Sequence, residues 1–127
     1  MGWRLLSVAL GGAIGASGRY LLGGFITRLT HEHPFPLGTL VINVSGALVI
    51  GVILGGVTGG RLALSPTARS FLTIGVLGGY TTFSSLCWES LEAMRVGDVR
   101  MALANVALSL LLGLSACWLG VKLGENL

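Results

Sequence analysis

The sequence predicts an all-α integral membrane protein, and two observations lead to that prediction: its composition and its four long apolar segments. The 127 residues are 53% hydrophobic and only 10% charged, and their mean hydropathy is +0.85. A soluble domain carries about 25% charged residues, so this chain is far more apolar. The net charge of +3 is scattered without a basic stripe, so no nucleic-acid partner is expected. Membrane lipid is the expected surrounding.

Each of the four apolar segments is close to the roughly 20 residues with which an α-helix crosses a bilayer. The predicted spans cover about residues 5–26, 37–57, 71–94 and 101–121. Polar loops separate them, and the sequence has no visible linker or internal repeat. It therefore predicts one four-helix transmembrane domain over residues 1–127, located in the cell (inner) membrane as a multi-pass protein.

The stretch from Gly75 to Ser85 lies inside the third span and predicts that this helix is broken at mid-membrane. Two adjacent glycines are followed there by two β-branched threonines, and all four residues are poor helix formers. A helix that breaks in lipid must satisfy its freed backbone groups within protein or a wet cavity. Broken helices of this kind often form ion or substrate sites. The alternative is a continuous helix that uses these small residues for packing.

Four polar residues in the other spans are further candidates, and each has a purely structural alternative. Arg19 could raise the anion concentration at a vestibule mouth, or extend its guanidinium to the interface. The Asn43 amide could donate to an anion, or form an interhelical hydrogen bond. Asn105 and Ser109 are four residues apart and therefore share one helix face. They could form a polar pore wall, or make interhelical contacts.

The distribution of acidic residues favours an anion as the transported species. The first two spans contain no Asp or Glu, whereas Glu89 and Glu92 lie near the far end of the third. A small proton-coupled multidrug exporter, the main alternative, needs a carboxylate in the middle of the membrane. This chain offers an amide, hydroxyl groups and phenylalanine edges, which suit an anion. A non-conducting assembly subunit is a second alternative, and no enzymatic activity is expected because no nucleophile–base pair is visible.

The basic residues that flank the spans give almost no orientation bias. Four lie on the side of the termini and three on the other, namely Arg4, Arg61, Arg69 and Lys122 against Arg28, Arg95 and Arg100. Membrane proteins are oriented by an excess of Lys and Arg in cytoplasmic loops. This near balance agrees with insertion in both orientations, and equally with one orientation favoured by a small bias.

The 21 glycines predict close helix packing and an oligomer. Gly51, Gly55 and Gly59 recur at every fourth residue of the second span, a spacing that lets helix backbones approach closely in lipid. A four-span subunit of this size has little room to enclose a pore alone. We therefore expect subunits to associate.

Three motifs occur in order along the chain and identify a resemblance. They are Gly11 to Ala16 followed by Arg19-Tyr20, Gly38 to Leu40 followed by Asn43 and Gly46, and Gly75 to Ser85. In these motifs, in length and in span number, the chain resembles the CrcB/Fluc family of small four-span fluoride channels. The Gly-Gly-x-Thr-Thr-Phe-Ser element at residues 78–84 is the specific part of the match.

The resemblance implies a dual-topology antiparallel homodimer with two pores, through which fluoride leaves the cell passively and cytoplasmic fluoride falls. It implies a fluoride pore formed by Asn43, Thr82, Phe83, Ser84, Leu86 and Ser109. Arg19 and Glu89 match vestibule residues. The backbone carbonyls of Gly78 and Thr81 would bind a structural Na+ ion on the dimer axis. Two positions depart from the family pattern: Leu86 replaces a second pore phenylalanine, and Asn105 stands where a tyrosine is common.

Overall fold

A computed structural model describes residues 2–31 and 33–127, and the elements in that range are all helical. Three helices are long and apolar enough to cross a membrane: α1 (Gly2–Leu29), α2 (Leu37–Thr58) and α6 (Val99–Glu125). Each contains one predicted span and extends past it, because the helices continue into the polar residues at their ends. The chain is therefore an all-helical membrane protein.

The third predicted span is divided into short helices. They are a π-helical turn (Phe71–Val76), α4 (Leu77–Tyr80) and α5 (Phe83–Arg95), and a further short helix, α3 (Pro66–Ser70), precedes the predicted span. The helix α3, the π-helical turn and α4 follow one another without a gap, whereas Thr81 and Thr82 separate α4 from α5. None of the four is long enough to cross a membrane by itself, so the segment differs from the other three helices.

Glycines determine how α2 and α6 pair. A Cβ atom added at Gly51 or Gly55 of α2 would overlap the carbonyl oxygens of Cys117 or Val121 on α6. A Cβ added at Gly120 of α6 would in turn overlap the carbonyl oxygen of Leu48. The backbones therefore touch over several turns, as is typical of small-residue contacts between membrane helices.

A second glycine contact holds the divided segment against α1. A Cβ at Gly11 would lie 2.7 Å from the carbonyl oxygen of Phe71, and one at Gly79 would lie 2.6 Å from that of Gly12. At Gly15 a Cβ would lie 2.8 Å from the Tyr80 amide nitrogen. The π-helical turn and α4 are thus in backbone contact with α1 up to the point where α4 ends.

Few side chains are buried in a single subunit. The helix α5 turns Leu86, Ser90 and Ala93 inward, whereas large apolar residues of α6 such as Leu114 and Trp118 are 71% and 65% exposed. Exposed apolar surface on this scale indicates contact with lipid or another protein. Cys87 is exposed because it lies next to Leu86 but off the inward face of α5.

Candidate functional site

The candidate site is the break between α4 and α5. Thr81 has ψ 158° and Thr82 has φ −149° and ψ 114°, so both residues are extended. Helix α4 ends with the bond from the Thr81 amide to the Leu77 carbonyl at 2.9 Å. Helix α5 then begins at Phe83, where the Thr82 hydroxyl accepts a hydrogen bond from the Ser85 amide at 3.2 Å. A threonine oxygen in this position is a favourable N-cap.

The side chain of Asn43 binds both backbone groups of Thr82. Its Oδ1 accepts from the Thr82 amide at 2.8 Å, and its Nδ2 donates to the Thr82 carbonyl at 3.0 Å. One side chain on α2 thus satisfies a donor and an acceptor that the break removes from the helix. A carboxamide has two N–H donors, so one remains available for another acceptor.

The same break removes the helical partners of two carbonyl groups. In a continuous helix, the Gly78 carbonyl would accept from the Thr82 amide, and the Thr81 carbonyl from the Ser85 amide. Here Thr82 donates to Asn43 Oδ1, and Ser85 donates to the Thr82 hydroxyl. Gly78 and Thr81 also line an open cavity of about 360 Å³ beside α2. The two carbonyls that the sequence analysis assigned to a cation are among those that the break releases from helical bonding.

A second open cavity, of about 240 Å³, contains most of the predicted pore residues. It is lined by Asn43, Thr82, Phe83, Leu86 and Ser109. The Phe83 side chain is 77% exposed, whereas Leu86 is 7% exposed. The Ser109 hydroxyl is buried and has no hydrogen-bond partner in the part of the chain that the structure describes. Polar side chains from α2, from the break and from α6 therefore converge on this cavity.

Ser84 is the predicted pore residue that does not line this cavity. Its side chain is exposed, and its hydroxyl lies 3.3 Å from the Thr82 hydroxyl. The Thr82 hydroxyl also contacts the Ser85 hydroxyl at 3.1 Å. These three adjacent hydroxyl groups form a short polar cluster at the start of α5.

The two predicted vestibule residues lie in different cavities. Arg19 lines one of about 160 Å³ together with Thr39, Thr82 and Ser85. Glu89 lines another, of about 260 Å³. The Thr39 hydroxyl donates to Glu89 Oε1 and so connects the two. Arg19 thus lines the same cavity as Thr82 and Ser85 of the hydroxyl cluster. Glu89 accepts the hydrogen bond of Thr39, which lines that cavity as well.

Sequence reasoning gave Thr39 no role, although it lies four residues before Asn43. Residues four apart share one face of a helix, so this spacing was the available signal. The role of Tyr80, whose hydroxyl lies 2.9 Å from Ser45 Oγ, was also missed.

Asn105 forms an interhelical contact and does not line the cavity of Phe83. It is 1% exposed, and its Nδ2 donates to the Ser90 hydroxyl at 3.1 Å. Ser109 lies one turn further along the same face of α6 and does reach that cavity. Of the two roles considered for this polar pair, Asn105 has the interhelical contact and Ser109 forms part of a cavity wall.

Comparison with known proteins gives consistent matches over nearly the whole chain. A family model described as "CrcB-like protein, Camphor Resistance (CrcB)" matches residues 6–121. The chain is similar to a protein of Solibacter usitatus named "Fluoride-specific ion channel FluC", with 47% identity over 97% of this chain and 99% of the relative. It is also similar to "Fluoride-specific ion channel FluC 1" of Symbiobacterium thermophilum, with 44% identity over 98% of each chain. A protein of Thermus thermophilus named "Fluoride-specific ion channel FluC" is 46% identical over 98% of this chain and 95% of its own length.

Proposed function

We propose that this chain, which belongs to the CrcB family, is a fluoride-specific ion channel through which fluoride leaves the cell passively. The names of the relatives support the substrate. The observation that carries the proposal is the convergence of Asn43, Thr82, Phe83 and Ser109 on one cavity beside the break. Passive efflux of this kind lowers cytoplasmic fluoride.

The chemistry of this cavity suits a small anion. Fluoride is strongly hydrated, so a pore must offer several donors in place of water. The free N–H of Asn43 and the buried hydroxyl group of Ser109 supply such donors, whereas the Thr82 hydroxyl donates to Ser85. Phe83 adds the positive edge of its ring, and Leu86 forms an apolar wall. The described residues that line the cavity include no carboxylate that would repel an anion.

Arg19 and the Thr39–Glu89 pair form the approach to this pore. The guanidinium of Arg19 raises the local anion concentration next to the hydroxyl cluster of Thr82 and Ser85. The Glu89 carboxylate accepts from Thr39 and thereby fixes the direction of that hydroxyl. Fluoride would move from Arg19 past Thr82 towards Phe83, because Thr82 lines both cavities.

The functional unit of this proposal is an antiparallel homodimer with four spans in each subunit. Residues from Pro66 to Arg95 form the third span, because α3, the π-helical turn, α4 and α5 together provide the length that no piece has alone. Four spans place the termini on one side, and the near balance of flanking Lys and Arg residues supports insertion both ways. The membrane is the cell inner membrane.

A structural Na+ ion completes the dimer. The carbonyls of Gly78 and Thr81 are free of helical bonds, and carbonyl oxygens are hard ligands that suit Na+. Two carbonyls from each subunit would form a four-oxygen site on the two-fold axis. A crystal structure of the dimer, from crystals grown with a sodium salt, is expected to show density for an ion that these four oxygens coordinate tetrahedrally. An axis with water alone in that position would remove the ion from the proposal.

The proposed function is tested by fluoride release from liposomes. Purified protein is reconstituted with internal fluoride, and release is recorded with a fluoride electrode in the absence of a proton gradient. Fluoride is expected to leave and chloride to stay. Proton-driven export of a cationic dye without fluoride release would instead favour a small multidrug exporter.

A further inference from the structure

Tyr80 is the last residue of α4 and makes a hydrogen bond to α2 directly before the break. Its hydroxyl lies 2.9 Å from Ser45 Oγ, and Ser45 Oγ donates to the carbonyl oxygen of Ile42 at 3.1 Å. A serine hydroxyl has a single hydrogen, which here is directed to Ile42. The tyrosine is therefore the donor, and its one hydrogen is directed to Ser45.

The ring of Tyr80 lies between two helices at positions that carry no side chain. A Cβ added at Gly46 of α2 would lie 3.3 Å from Cδ1 of the ring, and one at Gly18 of α1 would lie 3.9 Å from Cδ2. The two glycines leave room for the ring between α1 and α2, and the hydroxyl is bonded at its tip. The bond to Ser45 therefore fixes the end of the ring that the glycines leave unblocked.

Tyr80 and Thr82 attach the break to α2 on both sides of Thr81. Thr82 is bound through its backbone by Asn43, and Tyr80 through its side chain by Ser45. Thr81 lines both the cavity of Gly78 and the cavity of Phe83. A shift of Thr81 would therefore change the cation site and the pore at the same time.

We propose that Tyr80 is a positioning residue, whose hydrogen bond to Ser45 fixes the extended segment Thr81–Thr82 against α2. Asn43 binds the Thr82 end of this segment to α2, whereas the amide and hydroxyl of Thr81 donate to the Leu77 carbonyl within the broken segment itself. Tyr80 therefore attaches the other end to α2, through Ser45. The effect of this bond on ion transport rests on the proposed function, but its effect on the backbone does not.

The test is Tyr80→Phe, which removes the hydroxyl and keeps the ring. Hydrogen–deuterium exchange of full-length protein in nanodiscs is followed for peptides that cover residues 77–85. We expect the Thr82 amide to exchange roughly five-fold faster, the factor that corresponds to one hydrogen bond of ordinary net strength. Fluoride release per folded protein is expected to fall by a comparable factor. The matched control is Tyr20→Phe, because Tyr20 is 81% exposed.

Ser45→Ala removes the same bond from the other partner and decides the result if Tyr80→Phe folds poorly. Its control is Ser7→Ala, because Ser7 also donates to the carbonyl three residues earlier in its own helix. In the double variant Tyr80→Phe with Ser45→Ala, the Thr82 amide is expected to exchange no faster than in either single variant. In Ser45→Thr, which keeps a hydroxyl at this position, it is expected to exchange as slowly as in the wild-type protein.

Any of three results would overturn the proposal. They are unchanged exchange in both single variants, effects that multiply in the double variant, and fluoride release from Tyr80→Phe at the wild-type rate. If the wild-type protein releases no fluoride, the proposed function fails. The exchange measurements then still decide whether Tyr80 positions the break, because they do not depend on the ion.

Discussion

At the scale of single residues, Asn43 has less freedom than its position in an apolar helix suggests. Two of its polar groups are bound to the backbone of Thr82, so one N–H remains for an anion. The two bonds also fix the direction of that N–H, because they hold the plane of the amide. An interhelical hydrogen bond and an anion contact, which the sequence analysis treated as alternatives, are compatible in this geometry.

The first residue-scale prediction concerns Phe83. Its side chain is 77% exposed in the subunit and lines the cavity of Ser109, so the fold of the subunit does not depend on it. We expect Phe83→Ile to abolish fluoride release while the amount of folded dimer stays near wild type. Isoleucine preserves the apolar character but has no positive ring edge. The measurement is the release rate per folded dimer, with the dimer quantified by size-exclusion chromatography.

The neighbouring residue Leu86 provides the control for this prediction. It lines the same cavity, so Leu86→Phe can place a second ring there, and transport is expected to be equal or faster. The ring-edge argument is wrong if Phe83→Ile dimers release fluoride at the wild-type rate. A loss of yield with a normal rate would assign Phe83 to packing.

At the scale of elements, glycines decide where the broken segment lies. The π-helical turn and α4 contact α1 through Gly11, Gly15 and Gly79, and the break contacts α2 at Gly46. Backbone contact leaves no room for adjustment, because the atoms that would have to move belong to helices. The position of the break relative to Asn43 is therefore a consequence of these contacts.

The element-scale prediction is that Gly46→Ala impairs fluoride release by displacing the break. A Cβ at Gly46 would overlap the methyl group of Thr81 and lie 3.3 Å from the Tyr80 ring. Either Thr81 moves, or α2 moves away and lengthens the bonds of Asn43 to Thr82. We expect release to fall by a factor of about ten or more, since a shift of about 1 Å in a positioned group can cost on the order of a hundred-fold in rate.

The matched control for Gly46→Ala is Gly113→Ala on α6. A Cβ at Gly113 meets no atom within 4 Å, so this variant makes the same chemical change in open space. Alanine also favours helix over glycine by about 1 kcal/mol, so neither change weakens its helix. Equal release rates in the two variants would contradict the role of Gly46.

At the scale of the whole molecule, the outer surface of the subunit is apolar, and the cavities of the candidate site open onto it. Large apolar side chains of α1 and α6 are exposed, and the cavities of Gly78 and Phe83 are open. An open cavity lets water reach a bound ion, whereas a pore must exclude bulk water to select among ions. A second subunit that covers these cavities would close them, which is the reason for proposing the dimer.

The prediction at this scale concerns orientation. C-terminal reporter fusions are expected to be active on both sides of the membrane, because flanking Lys and Arg residues number four on one side and three on the other. Adding three lysines after Leu127 should orient most subunits one way and lower the yield of antiparallel dimer. A wild-type reporter active on one side only would contradict dual topology for this chain.

The sequence by itself determined that this chain is helical and belongs in a membrane, and also which stretch would leave the helix. Apolar segments of bilayer length must form helices, because lipid offers no partner for backbone groups. Between Gly75 and Ser85, glycines and β-branched threonines weaken the helix locally, so the place of the break is encoded nearby. The motif at residues 78–84 was the specific part of the family resemblance, which also depended on the order of the three motifs and on the number of spans.

Only the tertiary structure decided how the break is held. Asn43 and Thr82 are 39 residues apart, and Ser45 and Tyr80 are 35 apart, so no local pattern indicates that they pair. Their pairing depends on the position of α2 relative to α4 and α5. Glycine contacts of the broken segment with α1 and α2 determine that position. The Gly78 carbonyl loses its helical partner to a long-range bond, because the Thr82 amide donates to Asn43, whereas the Thr81 carbonyl loses its partner locally, because the Ser85 amide donates to the Thr82 hydroxyl. Propensity predicts that a helix ends, whereas the partners of its freed groups are set by the packing of distant segments.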